Sequence, residues 1–398
     1  MTDAQSDRQN SIDTDRPLNI AIFSDCYRPR INGVVTSIES ELVGLLKLGH
    51  NVNLITPSYP NQANESERGV IRLPSHAMKR WPDDRSSIPW PPSLIWKLYR
   101  TKWDVIHLHT PFNLGLLGLL FARRRNTPVV FTHHTQWEEY SHYIPYIWGS
   151  WARGLARLIC DFFFNRASLI VCPSAEIQQS LNSRRPELPT TVLPTGIDAE
   201  LFQEGDSERV FQELGLPQST PLLVYVGRLG PEKSVDFLLR CHKQLLERHP
   251  DCHLLIIGGG PGTQALEELN QSMNLTGRCH FLGWKPRQSL RHYFAAARAF
   301  VFASQTETQG LVLLEAAAAE LPVVAVRASG VNEAVVDGHT GLLSDPGDQD
   351  SFVLHIQKLL GDSQLKQQIG RQARQHVQGF SSKECVSKLL NCFKSVIR

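Results

Sequence analysis

The chain has 398 residues, 41% hydrophobic and 20% charged, with 41 Lys and Arg against 39 Asp and Glu for a net charge of +2. The length suits two ordinary domains, and the composition excludes a mainly disordered chain. A near-neutral total argues against a surface that is basic throughout, and no apolar run approaches the roughly 20 residues that span a bilayer.

Residues 1–16 are polar with no apolar stretch, which predicts a disordered leader and no secretory signal. From there short β-branched runs alternate with amphipathic ones. Strands are expected at 18–24, 52–56, 105–109, 129–132 and 170–172, with a helix over 35–48. None of these strands alternates cleanly with polar residues, the pattern of strands buried on both faces of a parallel sheet. The first strand leads to Asn32-Gly33-Val34-Val35 at a helix start, where backbone amides approach an anion closely. A plain turn glycine fits that segment as well, and no dinucleotide Gly-x-Gly-x-x-Gly fingerprint is present.

Between Lys79 and Lys102 six cations face two acids, with Trp81, Trp90, Trp96, Tyr99 and Trp103 interleaved. Basic residues mixed with tryptophan suit an anionic lipid surface, and Trp96, Lys97, Arg100 and Lys102 are the expected contacts. Core packing with cations reaching outward is the competing reading, and for a second aromatic segment, 146–166, the two weigh equally. Single-stranded nucleic acid uses a similar composition but is not expected as a partner. The strand at 129–132 ends in His133-His134, placed to orient a ligand hydroxyl or to pack internally. Eight cysteines lack metal-ligand spacing and read as thiols of a reducing compartment.

A break falls near 194–198, and a second βα series follows with strands at 222–226, 254–257, 300–302 and 323–326. Helices are expected over 235–248 and 351–360. Two doubly wound α/β domains are the expected architecture, with a ligand cleft facing the strand C-termini. The strand at 222–226 runs into Gly227-Arg228-Leu229-Gly230-Pro231-Glu232-Lys233, and two cations five residues apart on such a loop suit a diphosphate. A solvated loop with an incidental Lys–Glu pair is the bland alternative. Further on, Glu307 lies on a loop and Glu315 in the helix that follows Gly310-Leu311. A helix start offers amides to phosphate, and Glu315 suits ribose hydroxyls. Taken alone, paired glutamates also fit a hydrolase.

These residues carry a family resemblance. Gly227-Arg228-x4-Lys233, Glu307-x7-Glu315 within Glu-Thr-Gln-Gly-Leu, and Pro322-Val323-Val324-Ala325 resemble the retaining glycosyltransferases of family 4. The resemblance implies the GT-B fold, two facing Rossmann-like doubly wound domains with a cleft between them. It places an acceptor-binding domain over 17–205, a donor-binding domain over 206–378, and a C-terminal helix over 379–398 that crosses back. It implies an NDP-sugar donor and no catalytic metal or other cofactor. By resemblance Arg228 and Lys233 hold the diphosphate, Glu307 and His134 the sugar, and Glu315 the ribose, with His133 the fallback for His134. Gly33, Thr308, Gln309, Gly310 and Leu311 complete the donor set. The chain departs from the family pattern at Glu320, where glycine is frequent, and at Val34 after Gly33.

Trp137-Glu138-Glu139-Tyr140-Ser141-His142-Tyr143-Ile144 resembles the corresponding segment of bacterial diacylglycerol α-glucosyltransferases within that family. This implies a lipid acceptor met by Tyr27, Tyr140, His142 and Tyr143, and a cytoplasmic enzyme held peripherally on the inner face of the membrane. The expectation is hexose transfer, glucose from UDP-glucose, to diacylglycerol. Alternatives are sulfoquinovosyl, galactosyl or mannosyl transfer to a lipid, transfer to a soluble sugar, and a nucleotide-sugar binder without turnover.

Overall fold

The computed structural model describes residues 16–60, 67–78, 81–135 and 150–397. The strands are β1 (Asn19–Phe23), β2 (Asn51–Pro57), β3 (Val70–Leu73), β4 (Ser75–Met78), β5 (Trp81–Ser87), β6 (Val105–Leu108), β7 (Val129–Thr132), β8 (Leu169–Cys172), β9 (Thr190–Val192), β10 (Leu222–Val226), β11 (His253–Ile257), β12 (Cys279–Phe281), β13 (Ala299–Phe302), β14 (Val323–Val326) and β15 (Gly341–Ser344). They form a seven-stranded sheet in the order β3-β2-β1-β6-β7-β8-β9 and a six-stranded sheet in the order β12-β11-β10-β13-β14-β15. β4 and β5 make a separate antiparallel pair.

In each sheet the order reverses beside the first strand of its series, as in doubly wound folds. β1 pairs in parallel with β2 and β6, and β10 with β11 and β13. The apolar runs expected as strands form these sheet centres, and their residues are buried on both faces. The helices pack on the sheets by one apolar stripe. Helix α1 (Gly33–Lys47) buries Val35, Ile38, Leu42 and Leu45, one face of a 3.6-residue repeat. It starts where Asn32 Oδ1 accepts from Val35 N at 2.9 Å.

Chain contacts divide the molecule into two compact units. The first comprises the described residues up to His133, Leu158–Val171, and the residues from Val386 on. The second comprises the described residues of His134–Arg157 and Cys172–Cys385. All eight cysteines are free thiols, six of them buried.

Candidate active site

In the second unit the parallel pairing of β10 with β11 and β13 brings three loops to one end of the sheet. The loop after β11 meets the loop after β10 by backbone hydrogen bonds: Leu229 N donates to Gly259 O at 2.9 Å and Gly262 N to Leu229 O at 2.8 Å. Gly258 has φ +141, and a Cβ there would lie 1.8 Å from Gly227 O, so only glycine permits this approach.

The loop after β10 carries both expected cations. Arg228 Nη2 donates to Glu232 Oε1 at 2.6 Å, and Glu232 is almost wholly buried. Tyr225 OH donates to Arg228 O at 3.0 Å and fixes the loop from below. Lys233 ends a single 3-10 turn over Pro231–Lys233, and Ser234 turns the chain into the next helix with φ +49. The Lys233 ammonium donates to Glu307 Oε1 at 2.5 Å and reaches Ser304 Oγ at 3.5 Å. The structure therefore joins two residues 74 positions apart, one from each motif.

The loop after β13 runs from Ser304 to Gly310, where φ is +69, and opens the helix Leu311–Ala318. The backbone amides of a helix's first turn lack intrahelical partners and point toward its N-terminal end. Thr308 Oγ1 donates to His134 O at 2.8 Å. Gln309 is clamped: its Nε2 donates to Thr195 O at 2.9 Å and its Oε1 accepts from Thr195 N at 2.7 Å. Thr195 and Gln309 thus meet through the backbone of one and the side chain of the other, so the Thr195 side chain is not what the contact uses.

Glu315 lies one turn into the helix and is buried against Arg287, whose Nε and Nη2 stand 2.8 and 2.7 Å from its Oε1. Burial raises the Glu315 carboxyl above the usual range, and the Arg287 guanidinium works against that rise. The second unit thus gathers Arg228, Lys233, Glu307, Thr308, Gln309, Gly310, Leu311 and Glu315, with the His134 backbone. Sequence reasoning missed two of their partners. Glu232 had a signal, its four-residue spacing from Arg228. Arg287 had none, because it reaches Glu315 from the turn Arg287–Ser289, outside every motif.

Gly33 and Tyr27 belong to the first unit. Gly33 opens α1 behind its Asn32 cap. Tyr27 is 1% exposed, and its hydroxyl donates to Glu67 Oε1 at 3.0 Å. Packed so tightly, its ring presents no open face to an acceptor. His133 donates its backbone N–H to Val171 O at 2.9 Å, with its ring edge-on to Phe164. Tyr140, His142 and Tyr143 lie outside the described residues.

The basic-aromatic segment divides in two. In helix α2 (Pro92–Arg100), Trp96 is 57% exposed, and Lys97 and Arg100 also face outward, as does Lys102 just beyond. Trp90 is equally open. Trp103 instead belongs to the core: it is buried, and its Nε1 donates to Leu98 O at 3.0 Å. Helix α3 (Asn113–Arg125) lies alongside α2, with Tyr99 edge-on to Phe121 and Arg124 Nη1 donating to Tyr99 O. Its exposed Leu116 and Leu120 extend the patch toward Arg123, Arg124 and Arg125. In helix α4 (Ser150–Phe164), Phe163 and Phe164 are core, whereas Leu155, Leu158 and Phe162 face outward. Neither helix, nor any other among the described residues, is long and apolar enough to cross a membrane.

Two parallel α/β sheets, with the loops of the second carrying this set of charges, define a glycosyltransferase of the GT-B class. Residues 206–376 match the family Glycosyl transferases group 1, and residues 31–201 match Glycosyltransferase Family 4. The chain belongs to family 4, the retaining glycosyltransferases of the GT-B fold. It is 31% identical to the alpha-monoglucosyldiacylglycerol synthase of Acholeplasma laidlawii over 86% of this chain and 88% of that one. It is 32% identical to the D-inositol 3-phosphate glycosyltransferase of Corynebacterium diphtheriae, over 74% of this chain and 71% of that protein. The crystal structure of Anabaena HepE in complex with UDP and glucose shares the fold with a TM-score of 0.76, at 20% identity, over 95% of this chain and 100% of that chain.

Proposed function

We propose that the chain transfers glucose from UDP-glucose to the hydroxyl of a membrane lipid such as 1,2-diacylglycerol, with retention. The observation that carries the lipid acceptor is the outward patch of α2 and α3. Trp90, Trp96, Leu116 and Leu120 stand exposed among Lys97, Arg100, Lys102 and the three arginines that end α3. Aromatic and aliphatic side chains enter the headgroup boundary, and each nearby cation contributes about 1 kcal/mol on an anionic leaflet. The likeness to a diacylglycerol glucosyltransferase supports the same reading.

On the donor side, Arg228 and Lys233 bind the diphosphate and stabilise its charge as the glycosidic bond breaks. Glu315 takes the ribose hydroxyls and Glu307 the sugar, while His134 orients the sugar. Retention requires the acceptor to approach the face that the diphosphate leaves. The diphosphate oxygen then accepts the acceptor's proton, and no protein base is needed in this scheme. The amides that open Leu311–Ala318 add their dipoles to the cations.

A soluble polyol phosphate acceptor is the second reading, favoured by the inositol phosphate glycosyltransferase likeness. The two separate in one assay. NDP-sugars are offered with diacylglycerol in anionic vesicles or with inositol phosphate in solution, and products are identified by mass spectrometry. The proposal expects a hexosyl-diacylglycerol from UDP-glucose and vesicle-dependent turnover. A phosphorylated soluble glycoside formed equally well without vesicles would replace it.

A further inference from the structure

Three side chains in the first unit meet at a point that the donor and acceptor chemistry does not use. Glu41 projects from the buried face of α1, and His107 and His109 from the end of β6 and the residue after it. His107 Nδ1 lies 3.2 Å from Glu41 Oε2, and His109 Nε2 lies 3.3 Å from the same oxygen. The two ring nitrogens are 3.2 Å apart. Both imidazoles are buried, and their ring centroids stand 4.1 Å apart with the planes tilted by 52°.

Hydrogen bonding accounts poorly for such a triangle. Each edge needs its own proton, yet Glu41 Oε2 makes no well-formed hydrogen bond. Its other oxygen, Oε1, already accepts from Ser37 Oγ at 2.8 Å. His107 Nε2 meets Thr132 Oγ1 at 2.7 Å on its far side. With a proton held on that bond, the Nδ1 lone pair faces the carboxylate, and two acceptors confront one another. Buried acceptors in contact are relieved by a proton or a metal cation between them.

The three edges match a metal. Ligands 2.0–2.1 Å from a tetrahedral zinc ion stand about 3.3 Å from one another. A point at that distance from all three donor atoms lies about 0.8 Å outside their plane, leaving the fourth direction for a water. Two neutral imidazoles and one carboxylate are a zinc donor set, and the Thr132 and Ser37 contacts are of the kind that orient metal ligands from behind.

We propose that Glu41, His107 and His109 bind a zinc ion that ties α1 to β6. The site is separate from the diphosphate chemistry and takes no part in it. Its test is the metal content of the full chain, made in zinc-supplemented medium and gel-filtered, then measured by plasma mass spectrometry. About one zinc per chain is expected, falling at least roughly tenfold in Glu41→Gln and His109→Gln. Cobalt added to the metal-stripped chain should give the visible absorption of a tetrahedral ion, which reports on the wild-type chain even where a variant fails to fold. Less than about a tenth of a zinc per chain, with no cobalt band, overturns the proposal. Zinc retained in folded variants does so too, because the ion then sits elsewhere.

Discussion

The ammonium of Lys233 and the carboxylate of Glu307 meet at 2.5 Å across two loops 74 residues apart in sequence. Each is mostly covered, so the pair is held in one geometry. The proposed donor chemistry requires both: the lysine for the leaving diphosphate, the glutamate for the sugar. Lys233→Ala and Glu307→Ala are each expected to lower kcat/KM by about a hundredfold or more while far-UV circular dichroism stays native. Ordinary turnover in either folded variant would remove the donor-site assignment.

Arg287 and Glu315 make a different kind of pair, because the carboxylate is buried and the charge and hydrogen bond of the guanidinium oppose its desolvation. Arg287→Met leaves the glutamate buried and uncompensated, so its carboxyl rises further and holds a proton at higher pH. The acid side of the kcat/KM profile for the donor should move to higher pH, with KM raised about tenfold near neutrality. Arg287→Lys should restore part of it. A profile that stays in place would show that Glu315 does not face the donor.

The patch on α2 and α3 is testable apart from catalysis. Replacing Lys97, Arg100 and Lys102 together with Gln should weaken flotation on anionic vesicles by about a hundredfold, since three cations at about 1 kcal/mol each are lost. Donor KM measured with a soluble acceptor should not change. Raised salt should mimic the triple variant, and Trp96→Ser should weaken flotation at any salt. Undiminished flotation of the triple variant removes this surface as the membrane contact.

Acid should destabilise the second unit through His242. Burial, above the effects of neighbouring charges, pushes this imidazole down to about 4. In the unfolded chain it titrates near 6.5, so between those values the unfolded state binds the extra proton. The contribution to stability is complete above about pH 6.5 and is lost as pH falls toward 4, about 2 kcal/mol of it by pH 5. Urea midpoints at pH 7 and pH 5 should differ accordingly, and His242→Leu should shrink that difference.

Gly330 supports the loop after β13 from behind. Its N–H donates to Glu307 O at 3.0 Å, and a Cβ there would lie 2.4 Å from Gln309 N and 2.5 Å from the Thr308 carbonyl carbon. These are backbone atoms that no rotamer change can move. Gly330→Ala should therefore displace the loop and lower kcat/KM by about tenfold or more, with the overall fold kept. Unchanged kinetics would show that the loop position is not critical.

How much of this was legible depended on burial. β1, β2, β6, β10, β11, β13 and β14 are apolar because both faces are covered, and their runs announce them. β3, β9, β12 and β15 lie at or near sheet edges, are only three or four residues long, and lack a continuous apolar run. The donor-loop motifs were readable because a strand, a glycine and a charge fall within a few positions of one another. Arg287 and the Glu41–His107–His109 triangle were not, because folding alone brings their elements together. Trp103 shows the reverse error, for an indole among cations looks the same in sequence whether it faces lipid or the core.

Val386 and Phe393 sit on the helix Ser382–Val396, yet they complete the first unit. Val386 fills the space where a Cβ on Gly44 would go, and Phe393 stands edge-on to His107 at 5.2 Å. On the ribosome, β8 is finished at Cys172 long before Phe393 is made, a delay of roughly 10–40 s at about 5–20 residues per second. The unit that is translated first must wait for its seal, with an apolar face of α1 open to holding chaperones or to a neighbouring nascent chain. Most of the second unit is synthesised within that interval.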